Sequence, residues 1–336
     1  SVASFVREIW AQMGFKAASL GTVGVVAPSG SRYMGSTTPD PVLLHQTLAE
    51  LAGEGVSHLA IEASSHGLAQ HRLDGMRLSA GAFTNLTRDH LDYHPTFEDY
   101  RDAKARLFSE VLQLVSCRRE GLGQQLVIAG QGFERSVSLP LVGAFQASNA
   151  LVAAGLVIAT GGEPQLALWA LESLKGAKGR LELVARAACG APVFVDYAHT
   201  PDALENALAA LRPYAEGRLS VVFGCGGDRD PGKRPQMGAV AARMADRAYV
   251  TDDNPRSEDP ALIRAAVLAG CPGGIDAGDR HAAIARAVAD LAAGDVLLIA
   301  GKGHETGQII GKDEKPFSDH DEVLKAIGFA GGETVT

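Results

Sequence analysis

The chain has 336 residues, of which 46% are hydrophobic and 21% are charged, and its formal net charge at pH 7 is −8. At about 150 residues per domain, this length predicts two domains, each large enough for a hydrophobic core. The composition excludes a disordered chain, and the acidic balance argues against non-specific nucleic-acid binding as the main role. The longest apolar run is too short to span a bilayer, and the N-terminal residues do not resemble a signal peptide.

Four cysteines are scattered along the chain without a CxxC pair. This distribution favours a reducing cytosol over a disulfide framework or a cysteine-based zinc site. We therefore expect a cytoplasmic protein.

Short apolar segments alternate with amphipathic stretches, which predicts an α/β fold with a largely parallel sheet. Strands are predicted at 58–64, 81–87, 125–130, 192–198, 219–227, 248–254 and 295–303. Helices are predicted near 2–13, 41–53, 98–112, 145–160, 165–174, 201–211, 233–245, 258–269 and 280–292. A new series of strands begins after 174–184, which divides the chain into domains at 1–177 and 178–336.

Three polar clusters in the first domain leave two interpretations each. Glu62, in EASSHG (62–67) at a predicted strand end, holds a divalent cation or belongs to a helix-capping turn. The segment TNLTRDHLDYH (84–94) suits a metal or phosphate site, and also an Asx-type turn. Lys104 lies among apolar positions of the predicted helix 98–108, as a snorkelling side chain or as an inward lysine that is chemically modified.

Four clusters in the second domain follow predicted strands. VDYAHTPDAL (195–204) leads into a helix with Pro201 in its first turn. FGCGGDRDPGKRP (223–235) has glycines that allow close approach of a ligand, but they do not match a dinucleotide fingerprint. TDDNPRSEDP (251–260) and AGKGHETGQ (300–308) are the other two, and ordinary surface turns explain each one separately as well.

Two residues of the last two clusters suit a zwitterion. Arg256 can bind a carboxylate in a bidentate fork, and Glu305 can bind an ammonium group. We therefore expect the two side chains to share one crevice.

Taken together, these segments resemble the Mur ligase family, and they occur in the same order over almost the whole chain. The matching segments are STTPD (36–40), EASSHGL (62–68), TNLTRDHLDYH (84–94), YRDAK (100–104), GAFQASNAL (143–151), GRLELV (179–184), VDYAHTPDAL (195–204), FGCGGDRDPGKRP (223–235), TDDNPRSEDP (251–260) and AGKGHE (300–305). The DNPR segment (253–256) is similar to that of family members that add diaminopimelate rather than lysine.

The resemblance implies a central mononucleotide-binding, ATPase-like domain with a parallel sheet, followed by a Rossmann-like α/β C-terminal domain that binds an amino acid. It implies an enzyme that uses ATP and Mg²⁺ to join meso-diaminopimelate to the D-glutamate of UDP-N-acetylmuramoyl-L-alanyl-D-glutamate through an acyl phosphate, in peptidoglycan synthesis. The implied partners are these small molecules, with no nucleic acid and no membrane insertion, and the implied state is a monomer.

The resemblance also implies roles for individual residues. The expected magnesium ligands and catalytic residues are Glu62, His90 and Lys104, with the lysine carried as a carbamate. The residues expected to hold the UDP-sugar dipeptide are Thr37, Thr38, Ser64, Gln70 and Arg72. Those expected to contact the nucleotide are Asn149, Arg180, Asp196, Tyr197 and His199. Those expected to contact the incoming amino acid are Arg229, Asp253, Asn254, Pro255, Arg256, Gly301 and Glu305.

Two features depart from the family pattern. Family members have a phosphate-binding loop of the form GTNGKT just before the position of Ser1, so from this chain alone we expect weak or no ligation and a frayed helix at 2–13. Residues 113–137 are expected to form a shortened, irregular connection.

Three other functions remain as alternatives. The first is a non-catalytic remnant that only binds diaminopimelate or substrate. The second is a folylpolyglutamate synthetase, against which the STTPD and DNPR segments argue. The third is a nucleotide-dependent oxidoreductase, which lacks a dinucleotide fingerprint here.

Overall fold

The computed structural model describes residues 1–73, 76, 78–82, 113–130 and 133–334. They form two compact units, Ser1–Gly176 (unit 1) and Ala177–Thr336 (unit 2). The division lies one residue from the one that the sequence predicts. No helix in the described part of the chain is both long and apolar enough to cross a membrane.

Unit 1 begins with a helix and a small sheet. Its first elements are α1 (Val2–Gln12), β1 (Ala17–Gly21), β2 (Gly24–Ala27), β3 (Gly30–Arg32), α2 (Pro41–Gly53), β4 (His58–Ile61) and α3 (Ser65–Ala69). Helix α1 is formed along its length, contrary to the expected fraying, because it buries Phe5, Val6 and Ile9. Helix α2 begins at Pro41, and the Asp40 side chain caps its first amides.

The first four strands form a sheet in the order β3-β2-β1-β4. Strands β1 and β4 are parallel, with Ala17 opposite His58, whereas β2 and β3 pair in antiparallel fashion. Among the described residues this sheet is therefore mixed, with parallel pairing between β1 and β4. The carboxyl ends of β1 and β4 lie side by side, which places residues 21–22 next to residues 62–64.

The second half of unit 1 begins with an antiparallel meander. Its elements are β5 (Gln113–Glu120), β6 (Gly123–Gly130), β7 (Phe133–Leu139), α4 (Ala144–Ala159), α5 (Pro164–Ala170) and a 3₁₀ turn (Leu171–Ser173). The expectation of an irregular connection over 113–137 is wrong, because alternate residues of these strands share one buried face. Leu126, Ile128, Val137 and Leu139 are all fully buried there.

Unit 2 contains a second, larger sheet. Its strands are β8 (Glu182–Arg186), β9 (Pro192–Asp196), β10 (Leu219–Phe223), β11 (Arg247–Thr251), β12 (Ile275–Gly278), β13 (Val296–Ala300), β14 (Gly307–Ile310), β15 (Asp313–Pro316) and β16 (Glu333–Thr334). Its helices are α6 (Pro201–Leu211), α7 (Lys233–Met244), α8 (Pro260–Leu268), α9 (Arg280–Ala289) and α10 (Asp319–Phe329), with a 3₁₀ turn at Arg212–Tyr214.

The sheet order is β12-β11-β10-β13-β9-β8-β16, and the first five strands are parallel. This confirms the α/β prediction and the four strands predicted in this half. They are shorter than predicted, because their Gly-rich or polar ends leave the sheet as turns. Those turns carry residues 196–199, 224–229, 252–256 and 301–305 beyond the carboxyl ends of the strands, where ligands bind in such sheets.

Candidate functional site

A pair of hydroxyls connects the segment between β3 and α2 with the segment that follows β4 in unit 1. Thr38 is fully buried, and its hydroxyl lies 3.0 Å from the Ser64 hydroxyl. The Thr38 hydroxyl also accepts a hydrogen bond of 3.0 Å from the Ser64 amide and donates to the Glu62 carbonyl at 3.1 Å. A Cβ on Gly67 would lie 2.7 Å from Thr38 side-chain atoms, so the fit requires glycine.

The Glu62 carboxylate lies beside the turn that follows β1. The Thr22 hydroxyl donates to Glu62 Oε2 at 3.4 Å and lies 3.2 Å from the Thr37 hydroxyl. A Cβ on Gly21 would lie 2.7 Å from the same Oε2 atom. Glu62 is exposed, so its carboxylate is accessible to a cation. Thr22 was not predicted, because the sequence of β1, which precedes it, does not indicate a strand.

Arg72 completes the unit 1 cluster. Its Nη1 donates to the Thr38 carbonyl at 2.5 Å, and its Nε and Nη2 donate to Gln70 Oε1 at 2.9 and 2.6 Å. The structure thus joins the five residues predicted for the UDP-sugar dipeptide in one network of contacts. Ser64 also caps α3 through the Gly67 amide, so the helix-capping interpretation of this segment is correct for Ser64.

The predicted magnesium ligands are described only in part. His90 and Lys104, together with the segments 84–94 and 98–108, lie outside the described residues. Within the described ranges, no group of three or more His, Cys, Asp or Glu side chains could hold a metal ion.

Asn149, predicted on the nucleotide side, lies on α4 and donates to Gln146 Oε1 at 3.2 Å.

In unit 2, Asp196 ends β9 and lies among the residues predicted for the nucleotide. Its Oδ2 accepts a hydrogen bond of 2.6 Å from the Leu181 amide. Burial of the Asp196 carboxyl raises its pKa to about 6, although Arg180 and two backbone amides act in the opposite direction. The carboxyl therefore changes its charge close to neutral pH.

Aromatic and cationic side chains pack beside Asp196. The Arg180 guanidinium lies 4.8 Å from the centre of the Tyr197 ring. The His199 ring packs edge-on against Tyr197 at 4.6 Å, and the His304 ring lies 5.1 Å from it. Such a combination of ring faces and a guanidinium suits a planar base and its phosphates.

The third group of predicted residues centres on Asn254. Asn254 Oδ1 accepts hydrogen bonds of 3.0 Å from both Lys302 Nζ and the Ile309 amide. Asn254 Nδ2 donates to Glu305 Oε2 at 3.1 Å, and Lys302 Nζ lies 2.9 Å from that same oxygen. Glu305 is therefore already paired with a cation, which the sequence did not indicate.

Arg256 borders the same residue from the other side. Its Nη1 donates to the Gly227 carbonyl at 2.9 Å and to the Asn254 carbonyl at 3.4 Å. Its backbone has φ of +51°, and its amide donates to the Ile309 carbonyl at 3.1 Å. Arg256 and Glu305 thus both contact Asn254, Arg256 at its carbonyl and Glu305 at its side-chain amide.

Four further predicted residues lie in the segments that surround Asn254. A Cβ on Gly227 would lie 1.9 Å from the Pro255 carbonyl oxygen, so the Gly-rich turn after β10 packs directly on the 253–256 turn. A Cβ on Gly301 would lie 2.8 Å from Asp253 Oδ2. Arg229 donates from Nη1 to the Asp228 carbonyl at 3.3 Å.

A buried ion pair next to this cluster was not predicted from the sequence. Arg280 and Asp319, both fully buried, form bonds of 2.7 and 2.8 Å, and Arg280 Nη2 also donates to the Ala300 carbonyl at 2.9 Å. Both residues begin helices, where charged residues are usually exposed, so the sequence contains no signal of their burial. Lys302 was visible within its Gly-rich segment, but its burial was not.

Comparisons with known proteins identify the family of the chain. Residues 1–115 match the Mur ligase middle domain, and residues 179–303 match the Mur ligase glutamate ligase domain. UDP-N-acetylmuramoyl-L-alanyl-D-glutamate--2,6-diaminopimelate ligase of Mesorhizobium japonicum is 53% identical over 366 residues, covering 97% of this chain and 76% of the relative. The Agrobacterium fabrum protein of the same name is 51% identical over 374 residues, covering 100% and 76%.

Both alignments are longer than the 336 residues of this chain, so these relatives have internal residues without a counterpart here. A solved structure of the same ligase is 31% identical with a TM-score of 0.68, covering 98% of this chain and 76% of that one. A folylpolyglutamate synthase of Thermotoga maritima, 15% identical with a TM-score of 0.65 over 89% of this chain and 82% of its own, shares the fold alone. The chain therefore belongs to the Mur ligase family.

Proposed function

We propose that this protein is an ATP-dependent ligase that joins meso-diaminopimelate to the D-glutamate of UDP-N-acetylmuramoyl-L-alanyl-D-glutamate. The observation that carries the proposal is the cluster around Asn254, whose backbone carbonyl accepts a hydrogen bond from Arg256 and whose side chain donates to Glu305. Relatives that are 53% and 51% identical in sequence are named as 2,6-diaminopimelate ligases, which supports diaminopimelate as the amino-acid substrate. As a ligase of this kind, the protein works as a cytoplasmic monomer on small molecules.

The unit 1 cluster is proposed to hold the UDP-sugar dipeptide. Thr37, Thr38 and Ser64 supply hydroxyls that donate or accept hydrogen bonds, and Gln70 and Arg72 supply an amide and a cation. Because Thr38 and Ser64 bond to each other and to the backbone, they hold this surface in place before substrate arrives.

ATP is proposed to bind with its base and phosphates at the group formed by Arg180, Asp196, Tyr197 and His199 in unit 2. The glutamate carboxylate oxygen attacks the γ-phosphorus of ATP, and ADP leaves. The resulting acyl phosphate is an acceptor that an amine can attack, whereas a free carboxylate is not.

Magnesium is proposed to bind Glu62, His90 and a carbamylated Lys104. The exposed Glu62 carboxylate and its hydroxyl neighbours fit a hard cation that prefers oxygen ligands. When bound, the ion neutralises charge on the phosphoryl group during its transfer. Arg256 and Asp253 orient the amino acid, whose amine nitrogen then attacks the acyl carbon, loses a proton and displaces phosphate.

Product formation from the full chain tests the proposal. The chain is incubated with the UDP-dipeptide, ATP, Mg²⁺ and either meso-diaminopimelate or L-lysine, and the tripeptide product and ADP are measured by mass spectrometry. We expect slow turnover with diaminopimelate and none with lysine. Calorimetry of diaminopimelate binding to the same preparation shows whether the pocket itself is occupied.

Two variants separate the pocket from the rest of the surface. Arg256→Met removes the cation and is expected to abolish diaminopimelate binding. Arg243→Met removes an exposed cation that pairs with Glu205 on the surface, and is expected to leave binding unchanged. Binding without any product would favour the non-catalytic alternative, and a wild-type chain that neither binds nor turns over would refute both functions.

A further inference from the structure

His320 lies at the start of α10 in unit 2 and contacts a carboxylate of another element. Its Nε2 donates to Glu182 Oε2 at 2.7 Å, and its side chain is only 12% exposed. Its Nδ1 is buried and has no hydrogen-bond partner in the described part of the chain. The preceding residue, Asp319, anchors this helix start through its buried pair with Arg280. The polar role of the His320 side chain is therefore the contact with Glu182.

Glu182 begins β8, and its carboxylate holds the turn that precedes this strand. The Oε2 atom that contacts His320 also accepts a hydrogen bond of 2.6 Å from the Gly179 amide. Burial acts to raise the pKa of Glu182, but the hydrogen bonds from His320 and Gly179 lower that pKa below its usual value. The carboxylate is therefore ionised at neutral pH, and its hydrogen bonds are of the stronger, charge-assisted kind.

The turn before β8 has a strained backbone. Leu181 has φ of +50°, and a residue other than glycine is unfavourable in this left-handed region. The Leu181 amide donates to Asp196 Oδ2 at 2.6 Å. The amides of Gly179 and Leu181, on either side of Arg180, are thus each bound to a carboxylate, and these bonds offset the strain. In this conformation the Arg180 guanidinium lies 4.8 Å from the centre of the Tyr197 ring.

We propose that His320 is a positioning residue for the nucleotide: by donating to Glu182, it keeps that carboxylate on the Gly179 amide and so keeps Arg180 directed at the phosphates of ATP. This inference rests on the proposed function, in which Arg180 and Tyr197 contact ATP. His320 itself contacts the turn only through Glu182, so its effect on ATP is indirect.

Loss of the His320 ring releases the Glu182 carboxylate. A glutamate side chain has several rotatable bonds, and Glu182 is 27% exposed, so its carboxylate can then turn toward water. The turn keeps only the Asp196 bond against the strain at Leu181. Because a contact between a guanidinium and a phosphate depends on their relative position, we expect ATP to bind about tenfold more weakly.

The first test compares ATP with adenosine, which lacks phosphates, in two variants of His320. His320→Leu removes the donor, whereas His320→Gln keeps a side-chain N–H that reaches Glu182. In His320→Leu we expect the Kd of ATP to rise about tenfold and that of adenosine to stay within about twofold. In His320→Gln we expect both to stay within about twofold of the wild type. Ligand-observed NMR measures both constants, and their ratio does not depend on the fraction of protein that is folded.

Two further variants isolate the path through Arg180. In an Arg180→Met background, His320→Leu is expected to have no further effect on ATP binding, because both changes remove the same phosphate contact. His281→Leu is the matched control: His281 also pairs with a glutamate, Glu322 of α10, but its side chain is 62% exposed. This control is expected to leave the Kd of ATP within about twofold of the wild type.

Amide hydrogen exchange measured by NMR tests the link to the turn without any ligand. In His320→Leu we expect the Gly179 amide to exchange about tenfold faster while the amides of β9 keep their rates, and in His320→Gln neither changes. Equal losses of ATP and adenosine, unchanged exchange at Gly179, or a His320→Gln variant as weak as His320→Leu would overturn the role of His320 and leave the proposed function intact. Failure of the wild-type chain to bind ATP would instead overturn the proposed function, and with it the nucleotide part of this inference.

Discussion

The contribution of the Arg280–Asp319 pair to the stability of unit 2 can be measured with a double-mutant cycle. Both side chains are fully buried and joined by two hydrogen bonds of 2.7 and 2.8 Å. Removal of one partner of a buried pair leaves an uncompensated charge and costs about 3–5 kcal/mol. We therefore expect Arg280→Met and Asp319→Leu each to destabilise unit 2 by an amount in this range.

The two single variants are not expected to be equal. Asp319 begins α10, and Arg280 begins α9. The positive end of a helix dipole stabilises a lone aspartate but destabilises a lone arginine, by about 0.3–2 kcal/mol. Asp319→Leu leaves Arg280 alone at the start of α9, whereas Arg280→Met leaves Asp319 alone at the start of α10. Asp319→Leu is therefore expected to lower the free energy of unfolding more than Arg280→Met.

The double variant closes the cycle. Arg280→Met combined with Asp319→Leu replaces the pair with apolar side chains and is expected to fall within about 1 kcal/mol of the wild type. Hydrogen exchange of unit 2 amides during denaturant titration is the appropriate assay. Trp10 and Trp169, the two tryptophans of the chain, both lie in unit 1, so their fluorescence reports that unit separately. Single variants that cost less than 1 kcal/mol, or a double variant as unstable as the sum of the singles, would refute the reasoning.

Two further predictions concern stability. Burial raises the pKa of the Asp196 carboxyl from 3.8 to about 6, so the stability of the wild type is highest at acid pH and falls as pH rises through 6. Asp196→Asn is therefore expected to be more stable than the wild type by up to about 3 kcal/mol at pH 8 and equally stable at pH 3. Chemical denaturation at each pH measures the difference, and an equal gain at both pH values would contradict burial as the cause. A Cβ on Gly238 would lie 2.1 Å from the Val267 carbonyl oxygen, so Gly238→Ala is expected to lower the free energy of unfolding by about 1–3 kcal/mol. A Cβ on Gly155, also in a helix, would have no atom within 4 Å, so Gly155→Ala is expected to raise that free energy by up to about 1 kcal/mol. Thermal denaturation compares the two variants, and equal shifts would contradict the packing argument.

Elements with clear local signals could be predicted from the sequence. The starts of α2 and α6 combine a proline at the first helical position with a capping Asp40 or Thr200. The central strands of unit 2 are continuous runs of Val, Leu and Ile, as expected for parallel strands buried on both faces. In contrast, β1 reads AASLG and α10 starts with an acidic run, so neither has the periodicity that indicates its element.

Residues that meet through tertiary structure could be predicted only when a family motif carried them. The motifs led to Asn254, Arg256 and Glu305, and the structure brings them together. No motif indicated that Arg280 and Asp319, 39 residues apart, pair inside the protein. Burial of a charge depends on what packs over it, which local sequence does not specify.

The buried charges of unit 2 are more informative about function than about stability. Packed apolar side chains are usually at least as stabilising as a buried ion pair, so the stability of the fold does not require two pairs behind one pocket. Each pair instead holds an atom at the pocket wall: Arg280 holds the Ala300 carbonyl, and Lys302 holds the amide of Asn254.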